Sequence, residues 1–500
     1  HPPILYTGYV SFAIPFAFCM AALMSGRLGT QWITTTRRWT LFSWFFLGTG
    51  VLLGARWAYV ELGWGGYWAW DPVENASLMP WITGTAYLHS VMIQERKGML
   101  KIWNVILVAV TYLLCVFGTF LTRSGIVSSV HAFSSSDFAQ IFLYFIVAAA
   151  LGCAALIVYR LPLLKTENEL DSLVSRESSF LYNNLLLLVA CFAVLWGTLF
   201  PVLSEAVQGQ QVTVGPPFFN KINIPVALGL LFLTGVGPLL AWRKTSTESL
   251  KRNFTWPAVA GVVAAVLLLA AGMRHFYALV CYALSAFVTA TIAQEFHKGA
   301  RVRRAHRGGG YLSALVDLTL VNTRRYGGYV VHVGIVLIFI GIAGAAFNTE
   351  VKADLSPGES VEIGGYELKL ADVKRGETPN YIWEATQLEV TKNGRAIGTY
   401  DPQKHFYKAS ETPTSEVRRY STFKEDLYMV YAGPTDKGTA TVQVYLNPLV
   451  RWVWVGGLVM SFGTIITMVP NRRELKVARK AESDRKTHTE TEEEVRHEVA

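Results

Sequence analysis

The chain has 500 residues, of which 52% are hydrophobic and only 16% charged, with a formal net charge of +9 at pH 7. That balance belongs to a polytopic membrane protein and excludes an ordinary soluble enzyme. The positive charge sits in short clusters between apolar runs, which argues against a nucleic-acid-binding surface.

About eleven apolar runs approach the length that spans a bilayer: 4–25, 39–60, 78–94, 102–122, 139–160, 179–202, 223–243, 256–273, 276–296, 327–347 and 448–469. Each must be helical, because lipid offers no partner to an exposed backbone amide. Basic residues cluster at Arg37 and Arg38, at Arg96 to Lys101, at Arg160 and Lys165, and at Arg243 to Arg252. Further clusters are "HKGARVRRAHR" (297–307), Arg324 with Arg325, and the tail that begins "NRRELKVARK". These fall in alternate loops, so the positive-inside rule makes them cytoplasmic and places residue 1 outside.

Between the second and third runs lies "WGGYWAWDPVENASLMPW", residues 64–81. Asp71 can N-cap a helix, Pro72 suits its first position, and Glu74 at N3 completes a capping box, so a helix is expected from Pro72. The aromatics before it are too dense for an interfacial belt, which is sparse and spread over many helices. They read as an aromatic shelf on the outer side.

The five cysteines (Cys19, Cys115, Cys153, Cys191, Cys281) all fall inside apolar runs and no CxxC occurs, so the chain carries no disulfide-exchange motif. Residues 348–447 are of another kind. "ESVEIGGYELKLADV", "WEATQLEVTKNGRAIGTY" and "GTATVQVYL" alternate in period two, separated by the turn signals "PGES", "KNGR" and "TDKG". One antiparallel β domain outside the membrane is predicted, barrel or sandwich, between the last two spans. The final span (448–469) leads into a charged cytoplasmic tail, 470–500.

Topology sorts the ten histidines. His89 and His332 lie within spans, where polar side chains are costly and usually functional. His89 is roughly 13 Å in from Pro80, which leaves it near the cytoplasmic end of its run at Ile93, and His332 enters from the cytoplasm roughly 9 Å past Tyr326, at 1.5 Å per residue. They thus share a depth on antiparallel helices, and Gly328 would let a flat ligand approach. A bis-histidine haem between the two explains both positions; two unrelated histidines bonded to helix carbonyls is the plainer alternative. His1 and His131 belong outside, on the side of the aromatic shelf. A haem disc favours aromatic faces for its ring and a cation for its propionates; Arg56 and Arg123 are the outside-facing candidates.

At this point a family resemblance is carried by the residues. "WGGYWAWDPVENASLMPW" closely resembles the tryptophan-rich WWD motif of the haem-handling proteins of cytochrome c biogenesis. "HPPILYTGY", "TRSGIVSSVHAF" and "YGGYVVHVGIVL" resemble the histidine segments of its CcmF branch. The smaller haem-handling relative has fewer spans and lacks the β domain, so the CcmF branch fits better. The resemblance implies a haem lyase subunit of a bacterial cytoplasmic membrane, with residues 1–347 as a haem-handling core and the motif loop (61–80) and β domain periplasmic. His1 and His131 match the histidines that bind the haem to be attached, and His89 and His332 match those that hold a separate haem b. Tyr67 and Ala69 stand where the usual motif has Trp and Phe, which makes one platform face smaller. Family members carry additional spans before the first outer histidine, so a further N-terminal region is expected ahead of residue 1.

The expected activity follows from that resemblance. Haem from a haem-delivering chaperone lies against Trp64, Tyr67, Trp68 and Trp70 under His1 and His131. The two thiols of a CxxCH apocytochrome c then add across its vinyl groups. Reduced thiols must come from a thiol-handling membrane partner subunit, and electrons for the outer iron from a quinol through the inner haem. The alternative is a haem exporter or carrier that forms no covalent bond; the product distinguishes the two.

Overall fold

The computed structural model of the protein describes residues 1–127, 129, 138–166, 168, 170–409, 413–435 and 439–471. Among these the helices are α1 (Pro2–Ser11), α2 (Ala13–Ser25), α3 (Gln31–Glu61), α4 (Pro72–Lys97), α5 (Lys101–Ser124) and α6 (Phe138–Arg160). They continue with α7 (Arg176–Gln208), α8 (Pro216–Val236), α9 (Thr247–Ala270), α10 (Phe276–Arg307), α11 (Tyr311–Val321), α12 (Thr323–Gly344) and, after the strands, α13 (Val450–Met468). The charged tail expected at 470–500 lies outside the described residues from 472 onward.

Among the described residues ten helical segments are long and apolar enough to cross a membrane, where the sequence suggested about eleven. The difference is α4, which holds the run 78–94. It has 26 residues but carries Asn75, Ser77, Thr83, Ser90 and Gln94 as buried groups. Packing against α3, α5 and α7 shields these from lipid, so α4 can be polar where an outer helix could not. The first span breaks at Phe12 into α1 and α2, because Pro15 has no N–H to return to Ser11.

Residues between α12 and α13 form two antiparallel sheets. One orders the strands Thr349–Leu355, Ala440–Pro448, Glu425–Pro434 and Arg418–Ser421. The other orders Ser360–Ile363, Tyr366–Glu377, Tyr381–Lys392, Gln403–Tyr407 and Pro413–Glu416, with Arg395–Tyr400 pairing beside Tyr381–Lys392. Alternate residues of both sheets (Leu368, Leu370, Leu388, Val390, Leu427, Met429, Val442, Val444) meet in one buried core. That is a sandwich, one of the two folds the period-two pattern allowed, with each sheet keeping one wet face.

The sandwich is seated on the bundle by its flanking helices. α12 and α13 run against each other at backbone contact: a Cβ on Gly334 would lie 2.4 Å from the Met460 amide nitrogen, and one on Gly456 would lie 2.6 Å from the Gly334 carbonyl. Small residues permit such approach between apolar helices, where dispersion rather than the hydrophobic effect drives packing. This seam fixes the height of His332 on α12.

Candidate haem site

The aromatic loop, residues 62–71, is gripped from the sandwich side. Gly63 and Gly65 have φ of +69° and +75°, which side-chain-bearing residues rarely adopt. The Asn447 amide donates to the Gly65 carbonyl at 2.8 Å, and the Tyr445 ring occupies the space a Gly65 side chain would need. Tyr59, at the end of α3, donates to Asp426 Oδ2 at 3.2 Å and lies 3.3 Å from Asn447 Nδ2. Burial raises the Asp426 carboxyl above its ordinary range, and burial also holds the Tyr428 phenol neutral beside the loop.

From the other side the loop is tied to α4. Asp71 accepts from the Val73 N–H at 2.8 Å, and Glu74 Oε2 accepts from Asp71 N–H at 3.1 Å and Ala69 N–H at 3.0 Å. The capping box expected at Asp71 and Glu74 is therefore formed, and it sets the start of the helix that carries His89. Ser129 Oγ donates to Asp71 Oδ1 at 2.7 Å, bringing the α5–α6 loop to this point.

Within this frame the aromatics do not make one flat shelf. Tyr67 turns into a cluster with Tyr59 and Trp454, at centroid distances of 6.4 and 6.0 Å, and burial pushes its phenol well above the usual range. Trp70, with a left-handed φ of 59°, stacks on Phe219 at 4.9 Å and 10°, and its indole N–H donates to Asn220 at 3.0 Å. Trp68 stands at 89° to Trp70, with centroids 5.9 Å apart. Trp64 is half-buried. Sequence reasoning missed Phe219, Asn220 and Asn447; "PPFFN" at the mouth of α8, an aromatic pair next to an amide on the outer side, was the one signal available.

His1 packs on α3, its ring 5.4 Å from Trp57 and against Gly54, so its ring neighbour precedes the motif loop. His131 lies outside the described residues. Arg56 is exposed, its guanidinium 5.8 Å over the Trp454 ring, while Arg123 is exposed in the last turn of α5.

Deeper in the bundle α4 and α12 bring two histidines close together. The rings of His89 and His332 are 6.4 Å apart at 34°. His89 Nδ1 lies 3.0 Å from the Thr85 carbonyl, so Nδ1 carries the proton and Nε2 keeps its lone pair. Asn183 lies 3.4 Å from the same nitrogen, and Phe180 of α7 packs beside the ring at 5.8 Å. His332 Nδ1 is buried without a hydrogen-bond partner. Beside Gly328 a side chain would meet nothing within 4 Å, so α12 is open one turn before His332.

Fold and site together define a multi-span membrane protein with a facing histidine pair in its bundle and a tryptophan loop clamped by a β-sandwich. Comparison with known proteins supports the multi-span architecture and the sandwich. The family model "Cytochrome C assembly protein" matches residues 1–127, and "CcmF C-terminal beta-sandwich" matches residues 346–448. The Cytochrome c-type biogenesis protein CcmF of Pseudomonas aeruginosa is 39% identical over 95% of this chain and 72% of its own length. The Escherichia coli CcmF is 33% identical over 96% of this chain and 72% of its own. A solved structure, "Cytochrome c Heme Lyase CcmF", superposes with a TM-score of 0.77 at 30% identity, covering 94% of this chain and 72% of that one. The chain belongs to the CcmF family of cytochrome c-type biogenesis proteins.

Proposed function

We propose that the chain is the haem lyase subunit that attaches haem to apocytochrome c on the outer, periplasmic side of a bacterial cytoplasmic membrane. The observation that carries this reading is the His89–His332 pair, with the clamped tryptophan loop above it. The two rings lie 6.4 Å apart, so both imidazoles would be within reach of one haem held between the helices. The Thr85 carbonyl supports it by leaving His89 Nε2 free to ligate, and the open flank at Gly328 supports it by leaving room for a macrocycle.

His89 and His332 would hold haem b, which when bound supplies one-electron chemistry, drawing on a quinol. The chain's own residues do the rest by position. The substrate haem rests against Trp64, Trp68 and Trp70, the last held in place by its stack on Phe219. His1 and His131 would ligate its iron, and Arg56 and Arg123 would answer its propionates. Each apocytochrome thiol adds across one vinyl group, sulfur bonding to the inner carbon and the proton passing to the outer one. Orientation of the vinyl edge is the protein's contribution. Asp71 and Glu74 are engaged as caps and are not free acids. A haem-delivering chaperone and a thiol-handling partner subunit complete the reaction.

The test is co-expression of the chain with its partner subunits and a CxxCH apocytochrome, followed by denaturing gels stained for covalent haem. Covalent product that disappears in His89→Ala supports the lyase. Haem that co-purifies but is never covalently attached makes the chain a carrier.

A further inference from the structure

Three arginines from three helices converge below the histidine pair, at the end of the bundle away from the sandwich. Arg96 lies seven residues beyond His89 on α4, and Arg325 seven before His332 on α12. Seven residues is close to two turns, so each arginine sits on the same helical face as its histidine, about 10 Å along the axis. Arg176, on α7, is one turn before Phe180, which touches His89. Arg96 and Arg176 flank one indole, with their Cζ atoms 5.2 and 5.3 Å from the Trp242 centroid.

Arg176 is within electrostatic reach of both other guanidinium groups, of Tyr329 and of Glu295. Glu295 is committed to Arg325, at 2.5 Å, and also accepts from Tyr329 at 3.3 Å. Arg176 Nη2 donates to the Pro238 carbonyl, while its Nε is buried with no hydrogen-bond partner. Arg96 and Arg325 are exposed while Arg176 is half-buried, so Arg176 brings a third positive charge, partly out of water, beside two that solvent reaches.

We infer that Arg96, Arg176 and Arg325 form the carboxylate clamp for the propionates of the inner haem. This rests on the reading of His89 and His332 as its axial ligands. A tetrapyrrole between those rings carries both carboxylates on one edge. The two arginines that share the histidines' own helices, with Arg176 between them, meet that edge from the basic end. Guanidinium groups suit it because they bind carboxylates bidentately. The clamp orients the macrocycle and raises the reduction potential of its iron by offsetting negative charge.

The test uses the purified full chain with its native haem. Arg176→Gln and Arg325→Gln are each expected to shift the one-electron reduction equilibrium about tenfold toward the oxidised state, about 59 mV. Arg176→Lys, which keeps the charge, should recover at least half of that shift; a folding defect would not follow the charge. After haem removal, wild type should take up haem at least about tenfold more tightly than haem dimethyl ester, as charge-assisted hydrogen bonds require, and Arg176→Gln should lose that preference. An unchanged potential with equal uptake of acid and ester would overturn the clamp. Loss of a co-purifying anionic phospholipid with both haem readouts unchanged would overturn it in favour of a lipid headgroup. His89→Ala separates the layers: if it loses the haem spectrum while the arginine variants behave as wild type, only the clamp fails. If His89→Ala leaves the spectrum unchanged, the ligand reading itself fails.

Discussion

The imidazole rings of His89 and His332 lie 6.4 Å apart on helices that run in opposite directions through the bundle. The Thr85 carbonyl holds the His89 ring on its own helix, but the spacing of the two helices is set elsewhere. α4 is fixed by the Asp71 cap and its packing on α5 and α7, and α12 by its glycine seam with α13. If the pair ligates haem b, the purified protein shows a low-spin haem spectrum without added haem. His89→Ala and His332→Ala should each abolish that spectrum or turn it high-spin. Retention of the low-spin spectrum in both single variants would rule the pairing out.

The seam gives a second expectation. Gly334→Leu drives a side chain into the Met460 backbone, and overpacking of that kind costs about 1–3 kcal/mol. α12 must shift, carrying His332 with it. Haem content per mole of protein should fall below half of wild type while the sandwich still folds. Full haem content in Gly334→Leu would show that the seam does not set the height of His332.

The tryptophan loop is separable from the pair below. Trp68→Ala with Trp70→Ala removes the perpendicular indoles and the Phe219 stack, a contact worth about 0.5–1.5 kcal/mol beyond its buried area. Outer haem capture should weaken severalfold and the inner spectrum should persist. Loss of both at normal protein abundance would make the loop a folding element.

His131→Gly should stop cytochrome c assembly, and millimolar imidazole should partly restore it by supplying the missing nitrogen. The matching change at His1 should behave alike. Assembly at the full rate in His131→Gly without imidazole would remove that residue from the ligand set.

Asp426 provides a pH test of the junction between sandwich and loop. Burial raises its carboxyl above the ordinary 3.8, so near that pH the folded state holds a proton the unfolded chain has released. Its contribution to stability is present below the ordinary value and is lost as pH rises through the raised folded value. Each pKa difference of one corresponds to about 1.4 kcal/mol. Asp426→Asn should therefore be as stable as wild type or more so near neutral pH, with a flatter stability profile on the acid side. A large loss of thermal stability at neutral pH would mean instead that the ionised carboxylate is needed against Arg419 and Arg451.

Much of the architecture was written in short windows of sequence. Long apolar runs compel helices because lipid leaves no other partner for the backbone, period-two alternation compels a sheet with one wet face, and Asp71-Pro-Val-Glu caps its own helix. These are local demands, so residues a few turns apart suffice to state them. Depth counting could also set His89 and His332 at one level, since helical rise is fixed. What local sequence could not state was which faces meet. The polarity of α4 is tolerated only because three helices cover it. Trp70 takes its stacking partner from Phe219, Gly65 its anchor from Asn447, and Arg176 its neighbours Arg96 and Arg325 from two other helices. Such contacts depend on helix rotation and on loops that close over hundreds of residues. They are decided by packing complementarity summed over the whole bundle, which no single stretch of chain encodes.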